Sequence, residues 1–194
     1  MFIGYYNKSI ILTFIGLFCS IFGISFCFKG DIDIALVLMI ISGICDCFDG
    51  YVASLVKRSK EEKLYGVELD SLVDTVCFGV FPIILGLSLG YNNIYNVIIY
   101  CIYLFSGITR LGYFNIDVDN KKCFKGLPIT TVSFILPFIL FVTRNEVVMM
   151  ISYLVLSFLF LYNFKINKVS LKGKKGILLL GIALILIILF KVVR

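Results

Sequence analysis

The sequence predicts an all-α polytopic membrane protein, read as a single domain over residues 1–194. Two observations predict it. Hydrophobic residues fill 60% of the 194 positions and charged residues only 15%, at a mean hydropathy of +1.04, whereas soluble domains are about 45–50% apolar. The apolar residues also gather into seven runs divided by short polar segments, and a helix needs roughly 17–25 such residues to cross the hydrocarbon core. No repeat, low-complexity tract or linker interrupts the series.

The first run, residues 10–28, follows Lys8 as a signal peptide would, but Cys27, Phe28 and Lys29 offer no small-residue cleavage site, so it is expected to stay as a helix. The second, residues 32–56, and the third, 67–90, are joined by a polar stretch over residues 57–65 (KRSKEEKLY), read as a loop short enough to make them antiparallel neighbours. The fourth covers residues 94–113. The fifth (127–143) and sixth (147–164) are separated only by Arg144, Asn145 and Glu146, which reads as a tight helical hairpin. The seventh, residues 177–190, is an additional C-terminal span. Trp is absent, leaving Tyr5, Tyr6, Tyr91, Tyr95 and Tyr113 for the interfacial belt.

Orientation follows from the cations in alternate loops. With the N-terminus in the cytoplasm, 14 of the 18 Lys and Arg fall inside: Lys8, the group from Lys57 to Lys63, Arg110 with Lys121, Lys122 and Lys125, and the group from Lys165 to Lys175. Lys29, Arg144, Lys191 and Arg194 fall outside. The net charge of +6 is then a topological signal joined to attraction for anionic lipid headgroups, and gives no reason to invoke nucleic acid. The seven cysteines lie in or beside apolar runs without CxxC spacing, and with no His in the chain they read as small buried hydrophobes.

Four aspartates stand out against this background. Asp46 and Asp49 sit in the second run, Asp70 and Asp74 in the third, and neither stretch holds a cation to neutralise them. An ionisable group at membrane depth costs roughly 3 kcal/mol or more, and is by default a functional-site hypothesis. At 100° per residue Asp46, Asp49, Gly50 and Ala53 share one helix face, and Gly66, Asp70 and Asp74 share another. Counted from the ends of the connecting loop at about 1.5 Å per residue, Asp46 lies roughly 16 Å deep, Asp49 and Asp74 roughly 12 Å, and Asp70 roughly 6 Å. All four fit one pocket open to the cytoplasm. Gly50, Ala53 and Gly66 leave room for a ligand or a neighbouring backbone.

Four carboxylates so close repel one another unless cations cancel them, and two divalent ions bring the sum to zero. An all-oxygen donor set suits Mg²⁺ or Mn²⁺ rather than zinc or copper. The remaining coordination positions of such ions are commonly filled by phosphate oxygens. The alternative is that the aspartates merely cap or hydrogen-bond neighbouring helices.

The pattern DxxDGxxA over residues 46–53 followed by GxxxDxxxD over residues 66–74 resembles the signature of the CDP-alcohol phosphatidyltransferases. Within that family the runs GVELDSLVDTVCFGVFP (66–82), TRLGYFN (109–115) and FKGLPIT (124–130) are similar to bacterial phosphatidylserine synthases, and the resemblance covers roughly residues 8–137. It implies a six-helix catalytic core, to which the seventh run is an addition, usually in a homodimer. It implies that Asp46, Asp49 and Asp70 hold divalent metal, and that Asp74 is both a ligand and the general base. The implied reaction is attack of the L-serine hydroxyl on the lipid-side phosphorus of CDP-diacylglycerol, releasing CMP at a site facing the cytoplasm. Gly50, Ala53 and Gly66 would line the cytidine-diphosphate site.

Two departures bear on the donor site. Ser54 stands where the family usually has Arg, and the stretch from Ser54 to Gly66 is longer than the commoner pattern. Arg58, one turn further along the same face, is the substitute to consider, the other reading being a solvated loop charge. Arg110 either snorkels to headgroups or faces the pocket to hold a substrate phosphate or the serine carboxylate. Lys125 is the second acceptor-side candidate, while Gly126 and Pro128 shape the entry to the fifth helix. Other readings remain: another acceptor such as glycerol 3-phosphate, inositol phosphate or a polyol, or, outside this chemistry, a divalent-cation transporter or an intramembrane prenyltransferase. A transporter would spread its acids along a path or repeat, and a prenyltransferase needs a second acidic motif, whereas only Asp117, Asp119 and Glu146 follow Asp74.

Overall fold

A computed structural model of the chain describes residues 3–116, 123–167 and 171–193. Lys121, Lys122 and Lys168 of the inner clusters, together with Asp117, Asp119 and Arg194, lie outside the described residues. All seven runs form helices: α1 (Ile11–Lys29), α2 (Ile32–Leu55), α3 (Lys60–Ser88), α4 (Ile94–Ile116), α5 (Val132–Val142), α6 (Glu146–Leu161) and α7 (Leu171–Val193). The stretches Lys8–Lys29, Lys60–Ser88, Ile94–Ile116 and Gly173–Lys191 are long and apolar enough to cross a membrane, and the protein is an integral membrane protein.

α1 ends where Gly30 takes φ 82°, its N–H bonding to the Cys27 carbonyl while Asp31 N–H reaches Phe26. This left-handed cap satisfies the last carbonyls and turns the chain straight into α2. α1 and α2 pack along their length because α1 turns a stripe of small residues inward, Thr13, Gly16, Ser20, Gly23 and Cys27. The Ser20 hydroxyl donates to that of Ser42, 3.0 Å away. On its other sides α2 meets α5 and α7, and a Cβ at Gly43 would collide with the Ser133 hydroxyl of α5. α2 is therefore the central helix, and it carries two of the four aspartates.

The connection between α2 and α3 is shorter than the polar stretch suggests. α2 stops at Leu55, Val56 is extended, and Ser59 begins α3 with a capping box in which its hydroxyl accepts from Glu62 N–H and the Glu62 carboxylate accepts from Ser59 N–H. Lys60 onward is helix, not loop, and Arg58 lies in the connection rather than on the α2 face expected for it. α3 continues past Asp74 through a π turn at Thr75–Val80. Pro82 has no N–H to return to the carbonyl one turn back, and there the buried Tyr103 of α4 donates its hydroxyl to the Phe78 carbonyl. Tyr153 of α6 does the same for the Pro82 carbonyl at 2.6 Å. Tyr103 and Tyr153 meet edge to face at 5.0 Å, joining α4 and α6 over the π turn.

One departure from a purely helical chain is a short antiparallel pair, β1 (Cys123–Lys125) with β2 (Lys165–Asn167). It ties the segment before α5 to the segment before α7 at one end of the bundle. At the other end Arg144, between α5 and α6, pairs with Asp33 at the start of α2, 2.6 Å apart.

Candidate metal and substrate site

α1, α2 and α3 enclose a cleft lined by Thr13 and Gly16, by Ser42, Asp46 and Asp49, and by Asp70, Val73, Asp74, Cys77 and Phe78. The antiparallel arrangement of α2 and α3 brings the two acidic faces together as their spacing requires. One carboxylate oxygen from each of Asp46, Asp49 and Asp70 lies within 4.8 Å of the others. Asp74 lines the same cleft, so four carboxyl groups face one small space. Asp74 is the deepest, 7% exposed, while Asp46, Asp49 and Asp70 keep partial access to the cleft.

This donor set fits a hard divalent cation. Among the described residues the cluster able to hold an ion consists of carboxylates alone, as Mg²⁺ or Mn²⁺ requires and as zinc or copper does not. Four carboxyls sharing one cleft cannot all be ionised without a compensating charge.

The other expected residues surround this cluster unequally. Gly50 is exposed with nothing near the position of a Cβ, so the cleft side of α2 is open there. Ala53 is partly buried one turn further, and the exposed Ser54 donates its hydroxyl to the Tyr51 carbonyl at 2.6 Å. Arg58 reaches across to α3, where its Nη1 lies 3.5 Å from where a Cβ of Gly66 would be. Its Nε is buried without a hydrogen-bond partner among the described residues. Arg110 does not snorkel: it is 7% exposed, stacks 5.2 Å from the Phe114 ring and stands within electrostatic reach of Asp74 and Asp46. Lys125 donates its ammonium to the Tyr113 hydroxyl at 2.9 Å and lies over that ring.

Three contacts were not anticipated from the sequence. Thr13 donates to Asp49 Oδ2 at 3.3 Å, so α1 supplies a wall of the site. Ser71, between Asp70 and Asp74, exchanges hydrogen bonds of 3.2 and 3.0 Å with Asn115, pinning the end of α4 to α3. Lys174, at the start of α7, donates to the Cys47 carbonyl on α2 and is within electrostatic reach of Asp46 and Asp49. The small-residue stripe of α1 carries a signal for the first; the lysines before the seventh run signal only topology in the sequence.

The sequence pattern of the CDP-alcohol phosphatidyltransferase family matches residues 7–193. Over 102 residues the chain is 38% identical to the CDP-diacylglycerol–serine O-phosphatidyltransferase of Saccharomyces cerevisiae, covering 47% of this chain and 36% of that protein. It is 36% identical over 101 residues to the archaetidylserine synthase of Methanothermobacter thermautotrophicus, covering 52% of this chain and 43% of that one. With the CDP-diacylglycerol–serine O-phosphatidyltransferase of Bacillus subtilis it shares 33% identity over 132 residues, 66% of this chain and 72% of that protein. The match thus spans less than half of the first two relatives and most of the third.

Proposed function

The chain belongs to the CDP-alcohol phosphatidyltransferase family, and from that premise we propose that it transfers the phosphatidyl group of CDP-diacylglycerol to the hydroxyl of L-serine, releasing CMP. The observation that carries the reading is the gathering of Asp46, Asp49 and Asp70 oxygens within 4.8 Å of one another, with Asp74 lining the same cleft between α1, α2 and α3. The relatives in Saccharomyces cerevisiae and Bacillus subtilis, both CDP-diacylglycerol–serine O-phosphatidyltransferases, favour serine over other acceptors.

Asp46, Asp49 and Asp70 would hold two divalent ions, Mg²⁺ or Mn²⁺, with Asp74 as a further ligand. Ions bound there supply charge cancellation and Lewis acidity to phosphate oxygens. Gly50, Ala53 and Gly66 admit the nucleotide diphosphate close to the backbone, with Arg58 beside Gly66 and Ser54 bordering it. Asp74 takes the proton of the serine hydroxyl as its oxygen bonds to the lipid-side phosphorus. The bond from that phosphorus to the bridging oxygen breaks, and CMP leaves with the electron pair. Arg110, buried and within electrostatic reach of Asp74 and Asp46, is suited to the serine carboxylate, and Lys125 is the second acceptor-side candidate. Positioning and charge cancellation carry most of such a reaction. We read the enzyme as a homodimer of the cell membrane, its cleft facing the cytoplasm, the first from family resemblance and the second from the lysine-rich loops.

The test is CMP release by purified protein supplied with CDP-diacylglycerol, Mn²⁺ and a panel of alcohols. Serine is expected to be the preferred acceptor. Excess chelator is expected to abolish release and added Mg²⁺ or Mn²⁺ to restore it. Preference for glycerol 3-phosphate would reject serine, and full activity in chelator would reject the metal site.

A further inference from the structure

We propose that Lys174, brought in by the seventh helix, binds the diphosphate of the donor lipid from the α2 side of the cleft. The inference rests on the phosphatidyl-transfer reading and extends it to a helix that the acidic motif does not include.

Three observations lead to it. The Lys174 ammonium donates to the carbonyl of Cys47, the residue next to Asp46, and lies within electrostatic reach of Asp46 and Asp49. Arg110 is within electrostatic reach of Asp74 and Asp46, so the two cations share Asp46 and differ in the second acid each reaches, Asp49 for Lys174 and Asp74 for Arg110. The contact is held in place by packing, since α7 lies along α2 and a Cβ at Gly181 would be 3.0 Å from Ile44.

Charge explains why such a cation is needed. Four carboxylates and two divalent ions sum to zero, so the two negative charges of a diphosphate diester must be met by cations of the chain, of which Arg58 beside Gly66 supplies one. Ser54 supplies none, its hydroxyl being neutral and already donating to the Tyr51 carbonyl. An ammonium carries three donors; one is used on Cys47, and the other two can be given to phosphate oxygens without breaking that bond. A tether between helices, by contrast, needs a donor but no charge.

The distinguishing variants are therefore Lys174→Gln, which keeps an N–H for the Cys47 carbonyl and removes the charge, and Lys174→Arg, which keeps both. With CDP-diacylglycerol and serine as substrates, Lys174→Gln is expected to raise the apparent KM for the donor by about ten- to a hundredfold, the usual loss for a charge-assisted contact. The KM for serine should hardly move, and Lys174→Arg should recover most of the donor affinity. Binding without turnover gives a second readout: CMP with Mn²⁺ should raise the melting midpoint of the wild type and of Lys174→Arg, and fail to raise that of Lys174→Gln. Gln and wild type alike in both readouts would overturn the proposal, as would equal rises in both KM values. A lowered midpoint of ligand-free Lys174→Gln with donor KM unchanged would assign Lys174 to helix tethering. Loss of sensitivity to phosphatidylglycerol in the vesicle, again with donor KM unchanged, would assign it to bilayer headgroups. A wild type that binds CMP but transfers to no alcohol would reject the reaction and leave the binding role of Lys174 standing.

Discussion

Asp74 differs from the other three aspartates in its surroundings. Asp46, Asp49 and Asp70 gather their oxygens at the cleft, while Asp74 is buried behind them against Asp46, with Arg110 within reach. A group that must accept a proton rather than only hold an ion is well served by such a position, shielded from water yet touching the ligand set. Asp74→Asn preserves size and removes basicity, so turnover is expected to fall by roughly two to four orders of magnitude, the usual contribution of a general base. Binding of CDP-diacylglycerol should persist, and equilibrium binding measured beside turnover checks both halves. Near-normal turnover would remove Asp74 from the role. The acids were readable as residues because spacings of three and four positions put them on shared faces whatever the rest of the bundle does. Thr13 and Lys174 were not, because their contacts to Asp49 and Cys47 depend on how α1 and α7 pack on α2.

At the scale of elements, α3 shows both what periodicity reveals and what it hides. Its apolar half was legible from residue 67 onward, and its polar first turns were not, since a run of Lys and Glu looks like a solvated loop. The SxxE pattern at Ser59 and Glu62 was the missed signal for a helix start. The π turn that follows Asp74 has no local signature, because its Phe78 carbonyl is satisfied from another helix, by Tyr103, with Tyr153 donating to the Pro82 carbonyl just beyond it. Such turns recur at functional sites, and here the turn begins at the residue after Asp74. Removing the Tyr103 hydroxyl leaves a buried carbonyl without its donor, at a cost of about 1–3 kcal/mol. Tyr103→Phe should accordingly unfold earlier in a denaturation series in detergent. The control Tyr95→Phe, at a 75% exposed position, should match the wild type, and equal midpoints for both variants would show that the hydroxyl does not support the turn.

Across the whole molecule the two ends of the bundle divide the labour, and that division can be tested. At one end lie the connection from α2 to α3, the β1 and β2 pair and the start of α7 with Lys174, all on the side of the acidic cleft. The opposite end is closed by the pair of Arg144 with Asp33 and by Asn93 and Asn96, which donate to Glu146 at 2.9 and 2.6 Å. The lysine-rich loops assigned to the cytoplasm are those of the first end, so the count of cations and the packing of helices agree on which loops share a side. The count alone could not say whether the seventh run crosses. In the structure α7 is a 23-residue helix packed along α2, and its apolar stretch Gly173–Lys191 is long enough to span. Alkaline phosphatase, active only outside the cytoplasm, reports the side of each fusion point. Fusions after Lys125 and after Lys175 should be inactive, and one after Lys191 should be active. Activity after Lys175 would place the acidic cleft on the outer side, away from any cytoplasmic supply of nucleotide-activated lipid. Inactivity after Lys191 would mean that α7 lies on the membrane without crossing it, and Lys174 would then lose the packing on α2 that holds it against Cys47.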